Sequence, residues 1–267
     1  MFSFRLKRKK MTKEQEKYLD KQVKKLPRVL SSIFAVYLIV FLGIVICYFS
    51  FQATHYISTI QGSSMQPTIN SGIEYESQAE DIVYVNKNKD PQREDIIIIQ
   101  QPSNSIIKRV IASEGDKVSI FVSSDGWYHV SIIYNGQEEP TLLNESYIKS
   151  YKEWRYEGTY TESMIIKNVE SERAFYNTYI HSQEYSLSLV DGVYYVEVPQ
   201  NSFFCLGDNR AFSRDSRTKG FFKEEDVKGV ADIIVKGGAL DGGADFGDNL
   251  SAIFKYYWKE IEDSLAR

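Results

Sequence analysis

From Val29 to Phe51 the chain runs VLSSIFAVYLIVFLGIVICYFSF, 23 residues without a charged side chain. As a helix rising about 1.5 Å per residue, this run reaches about 34 Å, enough to cross a hydrocarbon layer of about 30 Å. A secretory signal peptide has a shorter apolar region, about 7–15 residues, followed by a small-residue cleavage site. Neither feature is present, so the run reads as a retained transmembrane helix with membrane lipid as its partner.

The 28 residues ahead of it carry eleven Lys/Arg (from Arg5 and Lys7 through to Arg28) against Glu14, Glu16 and Asp20, a net charge of +8. The whole chain is −4, so the remainder is acidic, at −12. A basic arm can bind nucleic acid. Beside a membrane span it reads instead as a topology determinant and a headgroup contact, and no nucleic acid is expected as a partner. The positive-inside rule then puts the N-terminus in the cytoplasm and everything after His55 outside. The expectation is a single-pass protein of the plasma membrane with an extracytoplasmic body. Met11 to Leu26 is charged and helix-compatible, with Pro27 marking its end.

Beyond the span, aromatic residues (14% of the chain, 19 of them Tyr) favour β-structure. Short β-branched runs recur between turn signals. They are DIVYV (Asp81 to Val85), DIIIIQ (Asp95 to Gln100), IIKRVIA (Ile106 to Ala112), KVSIFV (Lys117 to Val122), WYHVSIIY (Trp127 to Tyr134), GVYYVEV (Gly192 to Val198), FFCLG (Phe203 to Gly207) and VADIIV (Val230 to Val235). Ser123 to Gly126 reads as a hairpin turn between two of them. Residues 135–191 are more polar and Tyr-rich and read as an inserted subdomain. Gly237 to Asn249 reads as a flexible linker. In the tail, Ile253, Tyr257, Ile261 and Leu265 form one apolar helical stripe. It suits packing on the body of the protein or resting on a membrane surface.

Two cysteines, Cys47 in the span and Cys205 in FFCLG, give no disulfide framework. His55, His129 and His181 are scattered without ligand spacing, so no zinc site is expected.

Three segments carry candidate chemistry. The first is QGSSMQPTINSG (Gln61 to Gly72), where Gly62 and Pro67 bracket Ser63 and Ser64. Ser64 lies 13 residues beyond Phe51. Even fully extended, those residues reach about 43–47 Å, which keeps Ser64 near the membrane. Alone, the segment also reads as a Ser-rich juxtamembrane loop. The second is Ile106 to Asp116, where Lys108 and Arg109 interrupt a strand and point to opposite faces. A Lys facing inward loses water, so its pKa falls and it can accept a proton from a serine hydroxyl. A Lys at the strand edge would instead reach out to solvent. With no suitably placed His motif, a Ser–Lys pair is the natural variant of the serine-hydrolase arrangement. The third is GDNRAFSRDSR (Gly207 to Arg217), either a charge-assisted hydrogen-bond network or a solvated turn.

Taken in order, Gly62-x-Ser64-Met65-x-Pro67-Thr68, Lys108-Arg109-Val110-Ile111 with Gly115-Asp116, and Gly207-Asp208-Asn209-Arg210-x-x-Ser213-x-Asp215-Ser216-Arg217 resemble the characteristic boxes of type I signal peptidases. The resemblance is closest to the single-span form of Gram-positive bacteria and covers roughly residues 29–235. It implies that Ser64 is the nucleophile and Lys108 the general base, with no cofactor. It implies that Ser213 hydrogen-bonds and aims the Lys108 amine. Asp215 and Arg217 would form a supporting ion pair, Asp208 would brace the site, and Met65 would line its wall. The Ser64 N–H would supply one oxyanion donor. Some relatives add a hydroxyl two positions earlier, where this chain has Gly62. Two boxes depart from the family pattern. Ala112-Ser113-Glu114-Gly115-Asp116 stands where Gly-x-Pro-Gly-Asp is usual, and Glu94 replaces a Gly in Arg93-Glu94-Asp95-Ile96-Ile97.

The expected fold is mainly β, a signal-peptidase-like antiparallel catalytic core with a smaller inserted subdomain and one N-terminal transmembrane helix. The expected organisation is a basic tail (1–28), a span (29–51), a core in two parts (52–134 and 192–236) around the insert (135–191), and a linker with an amphipathic helix (237–267). The implied reaction is removal of signal peptides from exported preproteins, cut after small residues. The rivals are a self-cleaving Ser–Lys protease of the repressor kind, and a specialised or catalytically silent relative that assembles surface fibres.

Overall fold

The computed structural model describes residues 12–70, 81–122, 128–148, 162–182, 184–235 and 246–265. The chain divides into two units, residues 1–53 and 54–267.

The first unit is built on helix α1, Lys13–Thr54, and most of its large apolar side chains between Val29 and Phe49 are exposed. The helix is long and apolar enough to cross a membrane. It does not stop at Pro27, which lies inside it. Proline's fixed φ is helical, so the cost is one backbone hydrogen bond and local crowding. Within an apolar layer the backbone has no other partner than itself, which favours an unbroken helix on the C-terminal side of Pro27.

The second unit holds two sheets whose strand pairs are all antiparallel. The larger contains β1 (His55–Thr59), β2 (Ile82–Asn86), β3 (Ile96–Gln100), β4 (Ser105–Ser113), β10 (Ser202–Leu206), β11 (Phe222–Lys223) and β12 (Val227–Val235), in the order β1-β2-β12-β3-β4-β10-β11. The smaller contains β5 (Lys117–Val122), β6 (Tyr128–Ile133), β7 (Thr141–Leu142), β8 (Leu187–Val190) and β9 (Val193–Glu197), in the order β7-β6-β5-β9-β8. The fold is mainly β, as the run of short β-branched segments predicts.

The unbroken IIII of β3 has a physical reason. Ile96 and Ile98 join one apolar cluster with Met65, Val83 and Ile107, while Ile97 and Ile99 join another with Val110, Cys205 and Val230. A strand covered on both faces needs no polar alternation.

The segment 135–191 does not close on itself. It contributes β7 and β8 to a sheet whose centre is β5, β6 and β9. Its boundary at Asp191 and Gly192 falls inside a hairpin, where both residues have positive φ (50° and 79°) between paired Val190 and Val193. That is the two-residue geometry Asp-Gly favours. The segment also holds a helix, α2 (Glu162–Phe175), continued by a π-helical turn at Tyr176–Ile180. Phe175 and Tyr179 are fully buried there, packed with Phe204, Ile111 and Val118. The Ser123–Gly126 turn lies outside the described residues, as does most of the Gly-rich linker. The loop that begins at Gly207 leads into a short helix, α3 (Ser216–Lys219), and a last helix, α4, covers Phe246–Leu265.

Candidate active site

Ser64 lies in a turn after β1, and Lys108 lies in the middle of β4. The two meet. The Lys108 amine donates to Ser64 Oγ at 3.0 Å and to its neighbour's carbonyl, Ile107 O, at 2.6 Å. Lys108 is 3% exposed. Burial pushes its pKa down, the Asp215 carboxylate pulls part of that back, and the outcome is about 8 against an ordinary 10.5. A cleft of about 350 Å³ opens on this pair. Ser58 to Gln61 line one part of it and Asn104 to Lys108 another.

Three groups of contacts fix the turn that carries Ser64. Asn70 Nδ2 donates to Ile60 O and Gly62 O, and its Oδ1 accepts from the Asp81 N–H. The loop after β10 reaches back, with the Asn209 N–H donating to Ser64 O at 3.0 Å and Asn209 Nδ2 to Ser63 O at 2.9 Å. Thr68 donates to Asp208, which is 1% exposed and gripped by Arg109 through two bonds of 2.9 and 2.6 Å. The face of β4 opposite Lys108 is thus also committed to the site.

Asp215 and Arg217 sit near Lys108, 0% and 3% exposed, and pair through two bonds of 2.8 and 2.7 Å. Burial alone would raise the Asp215 carboxyl. The Arg217 guanidinium and the Gly207 N–H outweigh that and hold it below the ordinary carboxylate range.

In this cleft the buried amine and the serine form a hydrolase-like pair, and the sequence around them decides the family. A family model described as signal peptidase, peptidase S26, matches residues 28–236. The chain belongs to this family. A signal peptidase I of Buchnera aphidicola subsp. Schizaphis graminum is 28% identical over 78% of this chain and 74% of its own length. That of Streptococcus pneumoniae serotype 4 is 31% identical over 64% of this chain and 78% of its own. A crystal structure of a signal peptidase I from Enterococcus faecalis V583 is 26% identical, covering 53% of this chain and 97% of that one, with a TM-score of 0.33.

Within this signal peptidase chain the geometry differs from the sequence reading at two residues. Ser213 does not hydrogen-bond Lys108. Its Oγ is buried with no hydrogen-bond partner, although it stands near enough to Asp215 to help hold that carboxyl down. Ser213 sits directly over Gly207, where a Cβ would come within 2.2 Å of its Oγ. Met65 does not wall the cleft. It is 1% exposed and packs in the apolar cluster with Ile60 and Ile69. Gly62 has φ of 85°, so a side-chain donor there would have to adopt left-handed backbone.

Sequence reasoning also missed contributors. Asn209 stands in a quoted box, but nothing in the box says that it holds the Ser64 carbonyl. From the 135–191 segment, Ser171 accepts from Arg217 Nη1 at 2.9 Å, Thr178 donates to Arg217 O at 2.8 Å, and Tyr179 donates to Ser216 O at 2.7 Å. Glu145 pairs with Arg210. Their partners are 37 to 65 positions away in the chain, so no local pattern could announce them.

Proposed function

We propose that this signal peptidase family member is a membrane-anchored serine endopeptidase that removes signal peptides from preproteins, with Ser64 as nucleophile and Lys108 as general base. The observation that carries the reading is the 3.0 Å approach of a buried, water-poor amine to Ser64 Oγ. With a pKa of about 8, roughly a tenth of the Lys108 amines are neutral at pH 7. The neutral amine takes the Ser64 proton as Oγ attacks the scissile carbonyl. The oxyanion faces the Ser64 N–H. The resulting ammonium gives its proton to the departing amine, leaving an ester on Ser64. Lys108, neutral again, takes a proton from the water that attacks the ester, then returns it to Ser64 Oγ as the ester C–O bond breaks, which releases the acid and restores both side chains.

The flanking extended segments, 58–61 and 104–108, suit a substrate held as an extended chain. The expected cut is after small side chains, as the family resemblance implies. Helix α1 serves as the anchor in the plasma membrane, with residues 1–28 in the cytoplasm and the catalytic unit outside. Signal-peptide-bearing preproteins are then the partners, together with membrane lipid.

The test is cleavage of a preprotein by the detergent-solubilised full chain beside Ser64→Ala and Lys108→Ala. Mature product from the wild type alone, cut after a small residue, supports the reading. Equal product from Ser64→Ala overturns the mechanism. No product from any form, across several preproteins, moves the assignment to a silent assembly factor for surface fibres.

A further inference from the structure

Helix α4 carries two apolar faces, and the protein uses one. Ala252 and Ile253 are 2% and 4% exposed and turn inward with Tyr256. Phe254, Trp258, Ile261 and Leu265 are 60%, 61%, 51% and 82% exposed. Steps of four, three and four residues put these four on one stripe, roughly 160° around the axis from the buried face at 100° per residue. The sequence reading had one stripe, Ile253, Tyr257, Ile261 and Leu265. The structure divides it, burying Ile253 and leaving Ile261 and Leu265 in the exposed set.

The place where α4 is fastened says what meets that stripe. The Tyr256 ring stands edge-on to the His55 ring, with centroids 4.9 Å apart at 75°. His55 is bonded to Thr54, the last residue of α1. The apolar run ends at Phe51, four residues earlier. Those residues advance the chain about 6 Å as helix, comparable with the headgroup layer on one side of a bilayer, about 5–8 Å. From Tyr256 to Leu265 is about 14 Å along the axis. The whole stripe is therefore tethered within reach of the bilayer surface. Its chemistry suits that place. Trp prefers the water–lipid boundary, and Phe, Ile and Leu reach the acyl region. Lys255 and Lys259 are exposed beside the stripe, with stems long enough to meet headgroup phosphates.

We propose that Phe254, Trp258, Ile261 and Leu265 of α4 lie against the lipid surface as a second membrane contact, beside the anchor. This rests on α1 being the anchor, not on the peptidase mechanism.

The test uses the full chain in phosphatidylcholine–phosphatidylglycerol vesicles, with Cys47→Ala and the fully buried Cys205 left in place. Single cysteines from Phe254→Cys, Ile261→Cys, Lys259→Cys and, in the span, Tyr37→Cys carry an environment-sensitive fluorophore. Nitroxide-bearing lipids are the quencher. The expected result is quenching at Phe254 and Ile261 several times that at Lys259, with strong quenching at Tyr37. Equal, weak quenching at all three α4 positions beside strong quenching at Tyr37 overturns the proposal and spares the anchor. Blue-shifted emission at Phe254 and Ile261 that lipid nitroxides leave untouched, and that disappears on dilution of the protein, overturns it in favour of a second copy. Absence of quenching at Tyr37 removes the anchor reading and the proposal together.

Discussion

A Cβ on Gly207 would stand 2.5 Å from the carbonyl oxygen of Ser64 and 2.2 Å from Ser213 Oγ. Glycine at 207 is what lets the loop after β10 lie flat against the backbone of Ser64. Gly207→Ala is expected to push Ser64 off its 3.0 Å contact with Lys108 and lower kcat by about 10²-fold, the usual scale for a displacement near 1 Å. Steady-state cleavage of a preprotein, with a thermal melt to exclude unfolding, checks it.

In the proposed mechanism the neutral form of Lys108 is the base, so kcat/KM should rise with pH through about 8 and then level off. Stability moves the same way. The folded-state pKa lies below the unfolded value of 10.5, so the unfolded chain binds the extra proton between about 8 and 10.5, and this contribution to stability rises with pH across that window. Lys108→Met should abolish cleavage yet raise stability at pH 7 by on the order of 2–3 kcal/mol. Denaturant titrations at pH 7 and pH 10 measure it, and a destabilised Lys108→Met would contradict the buried-amine account.

Asp215→Asn strands the Arg217 guanidinium in a dry site, where losing one partner costs about 3–5 kcal/mol. It also removes the carboxylate that raises the Lys108 pKa. The variant should be less stable, and its remaining activity should show an acid limb shifted below pH 8. A pH–rate profile that does not move would separate Asp215 from the amine.

Tyr179→Phe keeps the aromatic packing and deletes the donor to Ser216 O. The expected cost is about 1 kcal/mol of stability. A several-fold fall in kcat at unchanged KM would show that the 135–191 segment positions the catalytic loop. Unaltered kcat would confine Tyr179 to the core.

What was legible in the sequence follows from range. The β3 and β4 strands announce themselves because their burial is nearly continuous, and Lys108 stands out because it interrupts such a run. Ser64 and the Gly207–Arg217 loop are short contiguous boxes. β7 and β11 are two residues each and leave no periodic trace. Helix α2 lacks a sustained three-and-four spacing of apolar positions, since Ile165 and Ile166 are adjacent and its firmest contact, Phe175, is its last residue. The resemblance implies a Ser213–Lys108 contact, but a shared box says which residues lie in one loop, not which way a hydroxyl turns, and Ser213 Oγ is buried without a partner.

The catalytic loop is held by Ser63, Ser64, Arg109, Glu145, Ser171, Thr178 and Tyr179, all distant in the chain. Contacts of such long sequence separation form late, because loop closure must precede their reward. A newly made molecule therefore has its serine and its lysine long before it has a dyad. On the proposed mechanism the chain gains activity only as these distant contacts close, so the onset of cleavage would report the completion of the fold.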